Sequence, residues 1–429
     1  MIKKTNTLIP EIRFPEFINE GEWDNKELGK ISEIVRGGSP RPIQDYTTTD
    51  SDGLNWLKIA DVASDSKYIT ATKERVIKEA LNSTREVNPG DLILSNSMSF
   101  GRPYILKIKT CIHDGWIAIR KISNKTFEDY LYYFISSESS QSYFQTNAAG
   151  AAVKNLNAEI IKLLPIYLPK NKNEQQKIAS CLSSLDELIA AHSQKLDNIK
   201  EHKKGLMQNL FPQEGETVPK YRFQEFVNDG DWVVKKLENY INLFSGIALK
   251  SEELSNDKSG IPILRGINIT EGFIRHSKEI DKYFVGDLDN LKKYLIREND
   301  IVIGMDGSKV GKNVALIKKE DENSILIQRV ARIRTNEKSD IKYVYHHFLS
   351  DKFRGYVDTV NTSSGIPHIS AQQIKDFKIG FPPKIKEQQK IADCLSLLDA
   401  LITGQTQKIE QLQLHKKGLM QGLFPKIND

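Results

Sequence analysis

Seam positions, apolar at all but two of ten in each case, recur at alternating spacings of four and three along two stretches of the chain. In the first they are Ile178, Leu182, Leu185, Ile189, His192, Leu196, Ile199, Lys203, Leu206 and Leu210. In the second, Ile391, Leu395, Leu398, Ile402, Gln405, Ile409, Leu412, Lys416, Leu419 and Leu423 follow in the same register. An a/d seam kept this long predicts two long helices that pair as a coiled coil. The seam rests on Ile178, Leu182, Leu185, Ile189 and Leu196 in one helix, and on Ile391, Leu395, Leu398, Ile402 and Ile409 in the other. Pro169 and Pro212 bracket the first stretch, Pro382-Pro383 and Pro425 the second, where helices start and stop. The competing reading is one face of a globular core, but a core helix seldom keeps so strict a stripe. His192 and Gln405 hold equivalent seam positions and are expected to fix register through a buried polar contact.

The two stretches are copies. Glu174-Gln175-Gln176-Lys177-Ile178-Ala179 to Phe211-Pro212 returns as Glu387-Gln388-Gln389-Lys390-Ile391-Ala392 to Phe424-Pro425, with no residue gained or lost. Repetition extends further. Arg13-Phe14-Pro15-Glu16-Phe17, with Trp23 and Leu28 behind it, returns as Arg222-Phe223-Gln224-Glu225-Phe226 with Trp232 and Leu237. Between opening and helix the copies share outline more than identity. Residues 31–36 and 240–245 read as strands entering glycine turns at Gly37-Gly38 and Gly246, and Gly90 to Ser95 parallels Asn299 to Gly304 as a turn into an apolar strand. Tyr130–Ser136 and Tyr343–Leu349 read as core helices. The expected architecture is α/β (α+β): globular units over 1–170 and 213–383, and helices over 171–212 and 384–429 that form an antiparallel coiled coil with an internal pseudo-twofold repeat.

Composition narrows the class without naming it. In 429 residues, 39% hydrophobic and 27% charged content is that of an ordinary globular chain. No apolar run approaches membrane-spanning length, and no apolar segment follows Met1-Ile2-Lys3-Lys4, so the expected location is the cytoplasm, with no membrane partner. The net charge of +5 agrees with a polyanionic partner but does not argue for one. Cys111, Cys181 and Cys394 lie far apart and read as buried thiols.

Catalytic constellations are not found. Phe381-Pro382-Pro383-Lys384 lacks both ends of an adenine-methyltransferase motif, and Gly307 to Gly311 is one residue short of a P-loop, with Asn313 where Ser or Thr should follow the lysine. No metal motif occurs; His346-His347 face apart on a helix, and His113-Asp114 is a lone dipeptide with a structural reading. The glycine-bearing loops instead mix Arg, Asn, Ser and Lys. Arg and Asn read guanine and adenine edges, while Ser, Lys and backbone amides hold phosphates. The candidate DNA contacts are Arg36, Ser39, Arg41, Asn96, Ser97, Ser99, Arg102, Lys154 and Asn155 in the first unit. In the second they are Lys250, Arg265, Ser308, Lys309, Lys312, Asn313, Ser363, Ser364 and His368. The bland reading of any one of them is a solvated loop residue.

Taken in this order and twice over, these motifs resemble the specificity subunits of type I restriction–modification systems. The resemblance rests on the paired Arg-Phe-x-Glu-Phe openings, Gly38-Ser39-Pro40, Gly90-Asp91-Leu92-Ile93-Leu94-Ser95, Asn155-Leu156-Asn157, Ile369-Ser370-Ala371 and the two Glu-Gln-Gln-Lys-Ile-Ala helices. In the second copy Gly246-Ile247-Ala248-Leu249 stands in place of the Gly-Ser-Pro form. The resemblance implies two target recognition domains, each reading half of a bipartite, asymmetric site in double-stranded DNA. It implies that the helices act as a ruler and dock two modification subunits. Those partners carry S-adenosylmethionine and methylate adenine N6, and restriction subunits add ATP- and magnesium-dependent translocation and cleavage. This chain would have no catalytic activity of its own. The competing class is a non-catalytic coiled-coil scaffold with two protein- or glycan-binding domains.

Overall fold

The computed structural model describes residues 8–63, 66–96, 100–148, 156–361 and 367–426. The chain forms two compact units, Met1–Ser193 with Gln407–Asp429, and Gln194–Thr406. Each unit therefore holds one globular domain and a part of each long helix.

The long helices span Lys172–Leu210 and Ile385–Leu423. Both begin just after the flanking prolines and end just before the next ones, since proline lacks the N–H that helix continuation requires. Ile178, Leu182, Ile391 and Leu395 are buried; Leu185, Ile189, Leu196, Leu398, Ile402 and Ile409 are half-buried, as are His192 and Gln405. In the first unit Ile178, Ala179 and Leu182 share a core with Leu423 and Phe424. In the second, Leu210 and Phe211 share one with Ile391, Ala392 and Leu395. The start of one helix thus lies beside the end of the other in both units, which makes the pairing antiparallel. Ion pairs cross it at matching places, Lys416 to Asp186 and Lys203 to Asp399, each at 2.5 Å.

The globular domains repeat one topology. In the first, the central sheet runs Glu33–Arg36, Trp116–Arg120, Leu92–Ser95, Pro103–Leu106 and Tyr68–Ile69. In the second it runs Ile241–Ser245, Val330–Thr335, Ile301–Gly304 and Val314–Leu316. A smaller sheet accompanies each, built on a parallel pair: Leu54–Leu57 with Thr110–Ile112, and Ile261–Leu264 with Ile325–Leu326. A two-stranded antiparallel ribbon joins the start and end of each domain, Asp24–Glu27 with Pro165–Leu168 and Val233–Lys236 with Lys378–Phe381. The apolar aromatic runs form helices Glu128–Ser136 and Ile341–Phe348, whose tyrosines and phenylalanines fill the cores.

Each opening motif is fixed to a long helix by one buried bidentate ion pair. Arg13 donates through Nε and Nη2 to Glu174 at 2.7 and 2.8 Å, and through Nη1 to the Gly21 carbonyl. Arg222 repeats this on Glu387 at 2.8 and 2.9 Å, and on the Gly230 carbonyl. The adjacent glutamines serve the core helices: Gln175 accepts from the Phe127 N–H and Gln388 from the Asp340 N–H. The Glu-Gln pairs present in both copies are therefore structural, since a planar guanidinium and a carboxylate make strong paired bonds when desolvated together. The cysteines are free. Cys111 is buried as expected, whereas Cys181 and Cys394 are half-buried because they flank the seam rather than occupy it. Among the described residues no helix is long and apolar enough to cross a membrane.

Candidate nucleic-acid interface

In both domains three segments converge at the same end of the central sheet. In the first they are the end of Glu33–Arg36, the end of Leu92–Ser95, and the turn before Trp116–Arg120, because Arg36 pairs with Ile117 and Ser95 with Trp116. In the second, Ser245 pairs with Ala331 and Gly304 with Val330. The close approach requires glycine. A β-carbon on Gly37 would lie 2.1 Å from the His113 carbonyl oxygen, and one on Gly246 would lie 2.0 Å from that of Ile327. Both glycines donate backbone bonds into the facing strand, to Trp116 and Val330. A fourth segment follows from the far side: Leu156 N–H donates to the Asn96 carbonyl, and Ile369 N–H to that of Met305.

Four of the candidate residues meet on Asp114. Its side chain accepts from Ser39 Oγ at 2.9 Å and faces Arg41 at 3.4 Å; its carbonyl accepts from Arg36 Nε and Asn96 Nδ2, both at 3.0 Å. Burial works against the charged carboxylate, yet the Ser39 hydroxyl and the neighbouring Arg36 hold Asp114 below the usual range. Burial also lowers His113, whose Nδ1 accepts from the Gly115 N–H, so the imidazole stays a structural acceptor. Arg36 and Arg41 are exposed beyond this hub. Arg102 stands elsewhere, its guanidinium 5.5 Å over the Tyr104 ring, lining a groove of about 1510 Å³ with Lys67, Tyr68 and Tyr132.

The second domain gathers a different set around Asp306. One carboxylate oxygen accepts from His368 Nδ1, the other from Arg329 Nε at 3.1 Å. Ser308, Lys309 and Lys312 are exposed on the same loop, and Asn313, half-buried, closes it by donating its N–H to the Lys309 carbonyl. Two candidates have partners within the domain, Arg265 turned inward and Lys250 still exposed. Arg265 donates to the Ile280 carbonyl, and Lys250 caps a short helix with its N–H on Glu253 while its ammonium lies 3.7 Å from Glu252. Ser97, Ser99, Lys154, Asn155, Ser363 and Ser364 lie outside the described residues.

Sequence reasoning missed Asp306 and Arg329 and read His113-Asp114 as a lone dipeptide. The only signal for Asp114 was an acidic residue beside Gly115 at the end of a strand; for Arg329 there was none, because its role depends on a contact with a loop over twenty residues away. Among the described residues no cluster of three or more His, Cys, Asp or Glu could hold a metal ion.

The family model for the type I restriction modification DNA specificity domain matches residues 20–201 and 229–414, so both repeats are covered. The chain is 25% identical over 426 residues to the type I restriction enzyme MjaVIII specificity subunit of Methanocaldococcus jannaschii, covering 95% of this chain and 92% of that one. It is 27% identical over 184 residues to the EcoBI specificity subunit of Escherichia coli, which covers 42% of this chain and 35% of that one. Its fold matches a crystal structure of a type I restriction–modification S subunit from M. genitalium at a TM-score of 0.61 and 16% identity, covering 98% and 100% of the two chains. With a duplicated sheet end, divergent loops and two copied helices, the chain belongs to the family of type I restriction–modification specificity subunits.

Proposed function

We propose that each domain reads one half of a bipartite, asymmetric sequence in double-stranded DNA, and that the paired helices set the distance between the halves. The observation that carries this reading is the contrast at the two sheet ends. One backbone frame, enforced by Gly37 and Gly246, presents Arg36, Ser39 and Arg41 in one domain and Arg329, His368 and Lys309 in the other. A common frame with different arginine and lysine edges suits two different base sequences, since arginine pairs with guanine edges and lysine or serine with phosphates.

The helices then hold two modification subunits, which bind S-adenosylmethionine and methylate adenine N6 on a base flipped out of the stack. Restriction subunits contribute ATP- and magnesium-dependent translocation and cleavage. This chain supplies binding, orientation and spacing and performs no bond chemistry. It works in the cytoplasm, where host DNA and incoming DNA meet the assembled enzyme.

The test is selection from a random duplex pool by the full chain in complex with its modification subunits. The expected result is two short blocks at one fixed spacing, with affinity falling steeply as salt rises, because released counterions drive part of the binding. Recovery of no enriched sequence, or of one continuous block, would contradict the reading.

A further inference from the structure

Arg329 adopts φ of +67° without being Gly, Asn or Asp, a conformation that costs an L side chain free energy and persists only where its surroundings impose it. The strand registers place it opposite the first domain's glycine: Ile112 pairs with Leu57 as Leu326 pairs with Leu264, so Gly115 and Arg329 stand at equivalent points of one turn. The first domain has Gly115 there and keeps it out of the left-handed region; the second enters that region and places an arginine in it.

Nothing in the core gains from this choice. The Arg329 side chain is 67% exposed, against 20% for Asp306, which holds its Nε at 3.1 Å. The backbone around it is tightly tied. Met305 N–H donates to the Arg329 carbonyl, Ile369 N–H to that of Met305, and Gly307 N–H to that of Pro367. A guanidinium held at Nε turns its two terminal nitrogens outward as a fixed pair, the geometry that matches the N7 and O6 acceptors of guanine in the major groove. The exposed Ser308 and Lys309 follow Asp306 on its loop and suit the adjoining phosphates.

Resting on the proposed DNA reading, we propose that Arg329 is a base-reading side chain of the second domain, specific for a guanine, with Asp306 as its positioning residue. The strained turn is kept because it carries that arginine.

The decisive variant is Arg329→Gly in the full chain with its modification subunits, selected against the duplex pool beside the wild type and Arg36→Ala. Glycine accepts the positive φ, so folding is preserved and a purely structural role predicts an unchanged or higher thermal midpoint with the same selected sequence. A base-reading role predicts that one position in one block becomes degenerate and that affinity for the wild-type site falls about 10- to 100-fold. Arg36→Ala should disturb only the other block, which assigns the blocks to the domains. Arg329→Lys, which keeps charge but loses the fork, should relax the same position, and Asp306→Asn should relax it partly. An intact motif with Arg329→Gly overturns the proposal; so does uniform weakening with the motif retained, which would make Arg329 a phosphate contact. If the wild type itself selects no two-block site, the DNA reading of the whole chain falls, a different result from an intact two-block motif in the variant.

Discussion

The joint between domain and helices and the loop-bearing sheet end behave in opposite ways when the two units are compared. At the joint the chemistry is held almost residue for residue. In the first unit Tyr133 bonds Ser183 and Asp186, and Asp186 pairs with Lys416. In the second His346 faces Ser396 at 3.2 Å and Asp399 at 3.9 Å, and Asp399 pairs with Lys203. Two differences separate the joints: tyrosine stands where the second unit has histidine, and in the first unit Lys67 also donates to Ser183 at 2.8 Å and to Tyr133 at 3.3 Å. At the sheet end the frame is held and its cargo is exchanged. The organising carboxylate moves from the turn before the Trp116 strand, as Asp114, to the loop after the Ile301 strand, as Asp306. Positions that hold the domains to the helices tolerate little, because buried ion pairs and seam packing fail when one partner changes. Positions at the loop ends face solvent and are free to diverge.

The largest effect that could break this comparison lies in the clamps. Arg13→Ala and Arg222→Ala each leave a buried carboxylate without its guanidinium, a loss of about 3–5 kcal/mol. The two should not be equal. Trp23 Nε1 also donates to Glu174, at 3.3 Å, whereas among the described residues Trp232 Nε1 has no hydrogen-bond partner. Arg222→Ala is therefore expected to cost more than Arg13→Ala in chemical unfolding of the full chain. Equal costs would contradict the asymmetry, and costs under about 1 kcal/mol, the range of exposed pairs, would show that the clamps do not hold the domains.

A smaller effect sharpens the same comparison through pH. Burial, helped by Lys203, pulls the His346 imidazole down to about 3. An unfolded histidine titrates near about 6.5. Between those values the unfolded chain binds a proton that the folded chain does not, so stability rises with pH across that window and is lost as pH falls through it. His346→Tyr, which places a tyrosine where the first unit has Tyr133, removes this contribution. The drop in stability between neutral pH and about pH 4.5 should shrink by about 2 kcal/mol. His347, buried and lowered in the same direction, keeps the remainder. An unchanged acid profile would mean that His346 is protonated or solvated in the folded protein.

Much of the frame was legible in the sequence because it is written locally. The a/d spacing of Ile178 to Leu210 predicts a helix without reference to anything distant, and the copied stretch predicts its partner. The prolines mark the ends to within a few residues of Lys172 and Leu210. The role of Glu174 and Glu387 was not legible, although both lie in the most obvious motif, since their arginines stand 161 and 165 residues away. The interface was read by residue type alone, and type does not say where a side chain is held. Arg36, Ser39, Arg41 and Asn96 come together on Asp114, while Arg265 turns inward to the Ile280 carbonyl. Arg329 carried no local signal, because a positive φ at a non-glycine residue follows from the tertiary ties around it and not from its neighbours in sequence.

The measurement that tests the central claim most directly is the map of N6-methyladenine in a methylation-free host carrying this chain and its modification subunits, made for the wild type and for a variant with one heptad inserted into each long helix at matching positions. The account predicts a single gapped motif for the wild type. In the variant the two blocks should be unchanged and the gap longer by about three base pairs, since seven helical residues add about 10 Å and each base pair about 3.4 Å. Methylation at the original spacing by the lengthened variant would contradict the claim that the helices set the distance between two independently read halves.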